Sequence, residues 1–244
     1  MLELYLFFCL LAMAYVVEMT VSVTRIVGLN NFDLSAAITL QSALALGSRL
    51  VVFVYMPLAG FVVDFSNQSL SMSALLFPSA IIPVVLFIIA LRARDITRSI
   101  GVLIQRALVN GSYFSSCSEE SDIRRVDINV FQYFSGRYDI VQFRELKLLV
   151  VLLSYILYYA TWPVIFTAIH AQPEYRTTIF ASAALFTGLN TLCMALIADP
   201  TTLSLSKKNK GACEQYLKLL IRMRVYAALI AFFVFMLVGL VFDA

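Results

Sequence analysis

The 244-residue chain is 61% apolar and 14% charged, with a net charge of +3 and a mean hydropathy of +0.88. That composition excludes a water-soluble globular domain, because runs of about 20 nearly uncharged residues recur and each is long enough to cross a bilayer as a helix. The expected class is an all-α polytopic membrane protein with about six transmembrane helices and a cytoplasmic insert between the third and fourth.

The first span covers residues 4–27 and the second 34–63. At 1.5 Å per residue the second is roughly 45 Å long against about 30 Å of hydrocarbon, so it must tilt, kink at Pro57 or project into water. The third span, 71–91, carries Pro78 and Pro83, which free backbone carbonyls for neighbouring helices or water. Beyond it, RDITRSIGVLIQRALV places Ile96, Ile100, Leu103, Ile104 and Leu108 at helical spacing, a pattern that predicts an amphipathic helix on the membrane surface. GSYFSSCSEESD reads as a loop, and the rest of the insert up to residue 147 reads equally as strand or surface helix. Three further spans follow at 148–171, 177–198 and 217–242, with Trp162–Pro163 marking a kink in the fourth and a lysine-bearing polar connector between the last two. The chain thus divides into residues 1–91, the insert 92–147, and residues 148–244.

The N-terminus begins MLELYLFF, with an acid and no basic n-region, and is not expected to be a cleaved signal. The four cysteines, Cys9, Cys117, Cys193 and Cys213, follow no metal or disulfide spacing. Lysine and arginine set the orientation. Sixteen of them fall on the face shared by the first, third and fifth connections, Arg176 alone falls on the other, and Arg49 lies within a span. The positive-inside rule then puts the large loop in the cytoplasm and both termini outside.

The charges inside the spans carry the functional argument. Glu18, Ser22 and Arg25 are spaced i, i+4, i+7 and share a face of the first helix. Ser35, Ser42 and Arg49 repeat every seven along the second, with Thr39 nearby. The two helices form an antiparallel hairpin, which sets Glu18 and Arg49 at similar depth, within reach of each other. Two readings stand side by side. An internal ion pair fixes helix register, or a hydrated cavity lets Arg49 face an anionic substrate while Glu18 offsets it or carries a proton. Arg25 also reads as a snorkelling cation near a cytoplasmic helix end. Asp199–Pro200 reads as a plain stop to the fifth helix, and Arg222 and Arg224 as anchors opening the sixth. Asn190 is expected to donate a hydrogen bond between helices, and His170 sits at the outer end of the fourth.

The sequence contains no GxxxxGK[ST], HExxH or GxSxG run, and one histidine cannot build a histidine metal site. No cofactor, metal or catalytic residue is expected. The work is expected to be movement of a substrate rather than chemistry upon it, with membrane lipids and not nucleic acid as the surroundings.

EMTVSVTRIVG at residues 18–28, Ser48–Arg49 twenty-four residues after Arg25, and then PLAG at 57–60 together resemble the Amj family, the alternate to MurJ among bacterial lipid II flippases. The family pattern has Glu-Thr, Ser-x-Arg-x-x-Gly, Ser-Arg in the next helix and then Pro-Leu. It also has an Asp-Pro near the penultimate helix end, matched by Asp199–Pro200, and a basic start to the last helix, matched by Arg222 and Arg224. Met19 stands where the family has threonine, and the Gly-Thr pair of its last helix has no counterpart here. The resemblance implies a flippase of the bacterial cytoplasmic (inner) membrane. It would move undecaprenyl-pyrophosphate-linked peptidoglycan precursor from the inner to the outer leaflet. The expected substrate-binding and translocation residues are Glu18, Ser22, Arg25, Arg49, Asp199, Arg222 and Arg224. The alternative is another transporter or channel, for a small anion or a proton-coupled solute, and a third reading is a non-transporting membrane partner whose basic insert docks a cytoplasmic protein.

Overall fold

The computed structural model describes residues 2–31, 34–65, 72–113 and 145–242. Over these the chain is helical: α1 (Leu2–Asn31), α2 (Leu34–Phe65), α3 (Met72–Asn110), α4 (Glu145–Ala171), a 3-10 turn (Pro173–Tyr175), α5 (Arg176–Ala181), α6 (Ala183–Cys193), a π-helical turn (Met194–Ala198), α7 (Asp199–Lys208) and α8 (Lys210–Phe242). Among the described residues five stretches are long and apolar enough to cross a membrane: Leu6–Leu29, Leu34–Phe61, Leu146–Ala171, Pro173–Lys208 and Lys210–Leu237. This is the architecture of a multi-pass membrane protein. Most of the insert, residues 114–144, lies outside the described residues, as do the side chains of 72–79 in the expected third span.

The bundle is held by α1, α4 and α8, whose spans are 41–50% buried. Apolar surface drives little association within lipid, so close van der Waals packing must do it, and small residues let helix backbones approach. Ala227, Ala228 and Ala231 on α8, Ala14 on α1, and Ala37 and Ala59 on α2 are all buried. Aromatic rings fill the space between α1 and α4. Phe7 meets Trp162 edge-on at 5.5 Å, Tyr15 meets Tyr159 at 5.5 Å, and the Tyr159 hydroxyl donates to Met19 Sδ at 3.3 Å. Hydroxyls on the spans turn back on their own helices, as Thr20 does to the Val17 carbonyl at 2.7 Å and Ser48 to Ala45 at 2.8 Å. That satisfies them where water is absent.

Three expectations change. The amphipathic stretch after residue 91 is not a separate surface helix. It continues α3, a 39-residue helix, and turns Ala93, Thr97, Ile100 and Ile104 into the bundle. The expected boundary at 91/92 therefore falls inside a helix. No proline interrupts this part of α3, and its apolar stripe finds α1 and α8 to pack on rather than lipid.

Asp199–Pro200 does not stop the fifth span. Proline lacks the N–H of the next ladder bond, and the helix absorbs the mismatch in the π turn just before it, where the Asp199 N–H bonds the Met194 carbonyl. Proline then sits within the first turn of α7, where a missing N–H costs little.

The polar connector after Asp199 is likewise almost wholly helical. Only Asn209 is extended, and its side-chain oxygen accepts the Ala212 N–H at 3.1 Å, capping α8, which begins at Lys210.

Candidate functional site

Between α1, α2, α4, α6, the π turn and α8 lies a half-open cavity of about 740 Å³. Five of the seven expected site residues line it: Glu18, Arg25, Arg49, Asp199 and Arg224. Three guanidiniums thus face two carboxylates, leaving one net positive charge.

Each buried arginine has an acid. Arg25, on α1 and 3% exposed, donates through Nη2 to Asp199 Oδ1 and through Nε to Gln41 Oε1 on α2. Arg224, on α8 and 2% exposed, donates to the Glu18 carbonyl oxygen and, at 3.4 Å, to Glu18 Oε1. Its guanidinium also lies over the Tyr155 ring of α4, 4.6 Å from the centroid, a cation–π contact. Even so, one nitrogen of each guanidinium is spare: Arg25 Nη1 and Arg224 Nε are buried with no hydrogen-bond partner among the described residues.

The expected Glu18–Arg49 contact is not formed. Glu18 and Arg49 line the same cavity, but Arg224 takes the carboxylate instead. A guanidinium fully withdrawn from water needs a counter-charge far more than an exposed one does. Arg49 lies exposed on α2 at the cavity wall and makes no ion pair among the described residues.

The other expected residues divide. Ser22 lies on α1 between Glu18 and Arg25, with its side chain outside those described. Arg222 is not brought to the cavity. Two residues from Arg224 it points about 200° away around the helix, where it donates to the Tyr226 hydroxyl at 2.9 Å and stacks on that ring at 5.3 Å. Of the polar stripe on α2, Ser42 and Arg49 line the cavity, whereas Ser35 and Thr39 are exposed outside its lining. Asn190 joins α6 to α4, but as an acceptor rather than the expected donor: the Ser154 hydroxyl on α4 lies 3.5 Å from its Oδ1, and Asn190 lines the cavity as well.

Sequence reasoning missed Gln41, Tyr155 and Tyr158 at the cavity wall. Gln41 carried a signal, as a polar residue inside an apolar span beside the Ser42–Arg49 stripe. The tyrosines carried none, because aromatic residues are common in membrane helices and only the fold shows which of them meets Arg224.

Chemically the arrangement is an anion-receptive cleft. Forked donors suit phosphate or carboxylate oxygens, and the two acids hold two of the three cations in place between occupants. Among the described residues no group of three or more histidine, cysteine, aspartate or glutamate side chains is placed to hold a metal. No family model, curated protein or solved structure matches this chain.

Proposed function

We propose that this chain is a lipid II flippase. It carries an undecaprenyl-pyrophosphate-linked peptidoglycan precursor from the inner to the outer leaflet of a bacterial cytoplasmic membrane, with its large loop in the cytoplasm and both termini outside. The observation that carries the reading is Arg49, an exposed cation without an ion-pair partner among the described residues, on the wall of a cavity that also holds Arg25 and Arg224. A diphosphate crossing hydrocarbon needs such a cationic route, since an intramembrane charge costs roughly 2.5–3.5 kcal/mol on insertion scales and persists only where it is paired, wetted or used. Arg25 and Arg224 are paired. Arg49 is the one left to be used. The resemblance of residues 18–28, 48–49 and 57–60 to the Amj pattern supplies the identity of the diphosphate, and the cavity supports the reading by gathering those same charges.

In this mechanism Arg49 receives the diphosphate, and Arg25 and Arg224, which line the same cavity, add to its positive field. Asp199 and Glu18 keep the two buried guanidiniums neutralised when the site is empty. No chemistry on the substrate is required.

The test is complementation of flippase-depleted bacteria, combined with an assay of lipid II in the outer leaflet. The intact chain is expected to restore growth and outer-leaflet lipid II, and the Arg49→Ala variant to accumulate normally yet restore neither. Growth rescued equally by Arg49→Ala, or transport of small anions with lipid II left inside, overturns the proposal.

A further inference from the structure

Two of the spans are far less buried than the rest: the α2 span at 12% and the Pro173–Lys208 span at 11%, against 41–50% for the other three. α2 packs on α1 and α3, α6 packs on α4, and among the described residues no extensive packing joins α2 to α6. Both nevertheless line the cavity. Leu46 on α2 and Leu192 on α6 belong to its wall while remaining 59% and 56% exposed, so each has one side on the cavity and another on the outer surface, and we take them as the lips of a side opening. On the α6 side the wall carries small residues at Ala184, Gly188, Thr191 and Ala195, spaced to lie on one helix face. A Cβ placed on Gly188 would meet nothing within 4 Å.

Within the same cavity lie Arg25, Arg49 and Arg224, three guanidiniums against two carboxylates. Guanidinium forks suit phosphate and carboxylate oxygens, and the net positive charge favours an anion there. Charged donors inside and apolar lips at the side select for one kind of molecule. A free anion gains nothing from leucine lips set midway along apolar spans. An amphiphile satisfies both parts at once.

We propose that the gap between α2 and α6 is a lateral portal, through which an amphiphile with an anionic head and a hydrocarbon tail enters the cavity from the lipid phase. The head lies among Arg25, Arg49 and Arg224, and the tail remains in hydrocarbon between Leu46 and Leu192. This inference rests on the flippase reading and adds the route that reading leaves open.

The test uses the full chain, purified in nanodiscs, with undecaprenyl diphosphate in the bilayer and inorganic pyrophosphate in the buffer as separate probes. Gly188→Trp puts a bulky ring on the cavity wall at a position where the first side-chain atom meets nothing within 4 Å. Gly47→Trp is the control, because a Cβ there also meets nothing within 4 Å and Gly47 is outside the cavity lining. Gly188→Trp is expected to weaken lipid binding at least tenfold, and Gly47→Trp to change it less than twofold.

A second variant closes the lips without filling the cavity. With Cys9, Cys117, Cys193 and Cys213 replaced by alanine, Leu46→Cys and Leu192→Cys are joined by a flexible bis-maleimide. Joining is expected to abolish uptake of the lipid and to leave pyrophosphate binding within twofold. Lipid uptake undiminished by the link, or a pair that cannot be linked, overturns the portal and leaves the flippase reading to its complementation assay. Lipid binding that is sensitive to Gly188→Trp in a chain that fails complementation upholds the portal and removes the flippase. Binding of pyrophosphate alone, or of neither probe, overturns the portal.

Discussion

Arg224 lies over Tyr155, its guanidinium carbon 4.6 Å from the ring centroid, and the Tyr155 hydroxyl donates in turn to Met194 Sδ at 3.1 Å. Met194 opens the π turn, and its carbonyl takes the N–H of Asp199, the residue that holds Arg25. The two ion pairs are therefore not separate staples. A continuous set of contacts runs from Glu18 through Arg224, Tyr155 and the π turn to Asp199 and Arg25, crossing α8, α4, α7 and α1. Met194 and Asp199 also line the cavity, so this set borders it at both ends and in the middle. π turns are common at functional sites because the extra residue loosens the ladder locally. Here it sits between two charge pairs that an anion would perturb.

The Glu18–Arg224 pair should behave as a buried one, since their side chains are 16% and 3% exposed. Glu18→Gln leaves the guanidinium uncompensated and is expected to destabilise the protein by about 3–5 kcal/mol, whereas Glu18→Gln with Arg224→Met removes both charges and recovers most of that loss. Reversible denaturation of the purified protein in mixed micelles measures all three. Strictly additive losses would show that the two residues do not act as a pair.

The second pair predicts an asymmetry. Arg25 is 3% exposed at its side chain and Asp199 33%. Asp199→Asn strands a guanidinium away from water, while Arg25→Met strands a carboxylate that water still reaches. The first is expected to cost about 3 kcal/mol and the second clearly less, because the penalty for a lone charge follows its desolvation. The same denaturation measurement decides it. Equal losses, or the reverse order, would remove the explanation.

Much of this site was legible in the chain, and the limits have physical causes. Glu18, Arg25, Arg49, Asp199 and Arg224 stood out because charges in apolar runs are expensive, and that cost is a property of the sequence alone. Their partners did not stand out. Hairpin geometry relates only helices adjacent in the chain, so it could offer Arg49 to Glu18 but not Arg224, which arrives from α8. Helix periodicity identified the apolar stripe after residue 91, yet a stripe looks the same whether it meets lipid or α8. Asp199–Pro200 read as a stop because proline breaks a regular ladder, and a π turn that accommodates it has no composition of its own. The six expected spans rest on hydropathy, and five are found among the described residues.

Asn190 Oδ1 meets the Ser154 hydroxyl across α4 and α6 at 3.5 Å, and the single proton of that hydroxyl has its shorter partner in the Val151 carbonyl at 2.8 Å. Asn190→Ala therefore leaves the serine satisfied. Its expected cost is about 0.6 kcal/mol, the average for interhelical hydrogen bonds within membranes. A loss several times larger in the denaturation assay would mean that Asn190 orders more of the cavity wall than this single bond.

Arg49 separates stability from function more cleanly than any other position. It is exposed, lines the cavity and has no ion-pair partner among the described residues, so Arg49→Gln removes a charge without orphaning another. Stability should change by no more than about 0.5 kcal/mol, as for surface positions that break no buried network. Transport should fall to background, since the only cavity cation without an acid is gone and the neutralised pairs cannot replace it. Arg49→Lys keeps the charge but loses the planar fork, and an intermediate rate is expected because an ammonium meets phosphate as a point charge. Denaturation curves and outer-leaflet lipid II, measured on the same preparations, test both halves. If Arg49→Gln unfolds the protein, the residue is structural. If Arg49→Gln transports normally, the diphosphate passes without it, and a route through this cavity would have to depend on Arg25 or Arg224 breaking its pair.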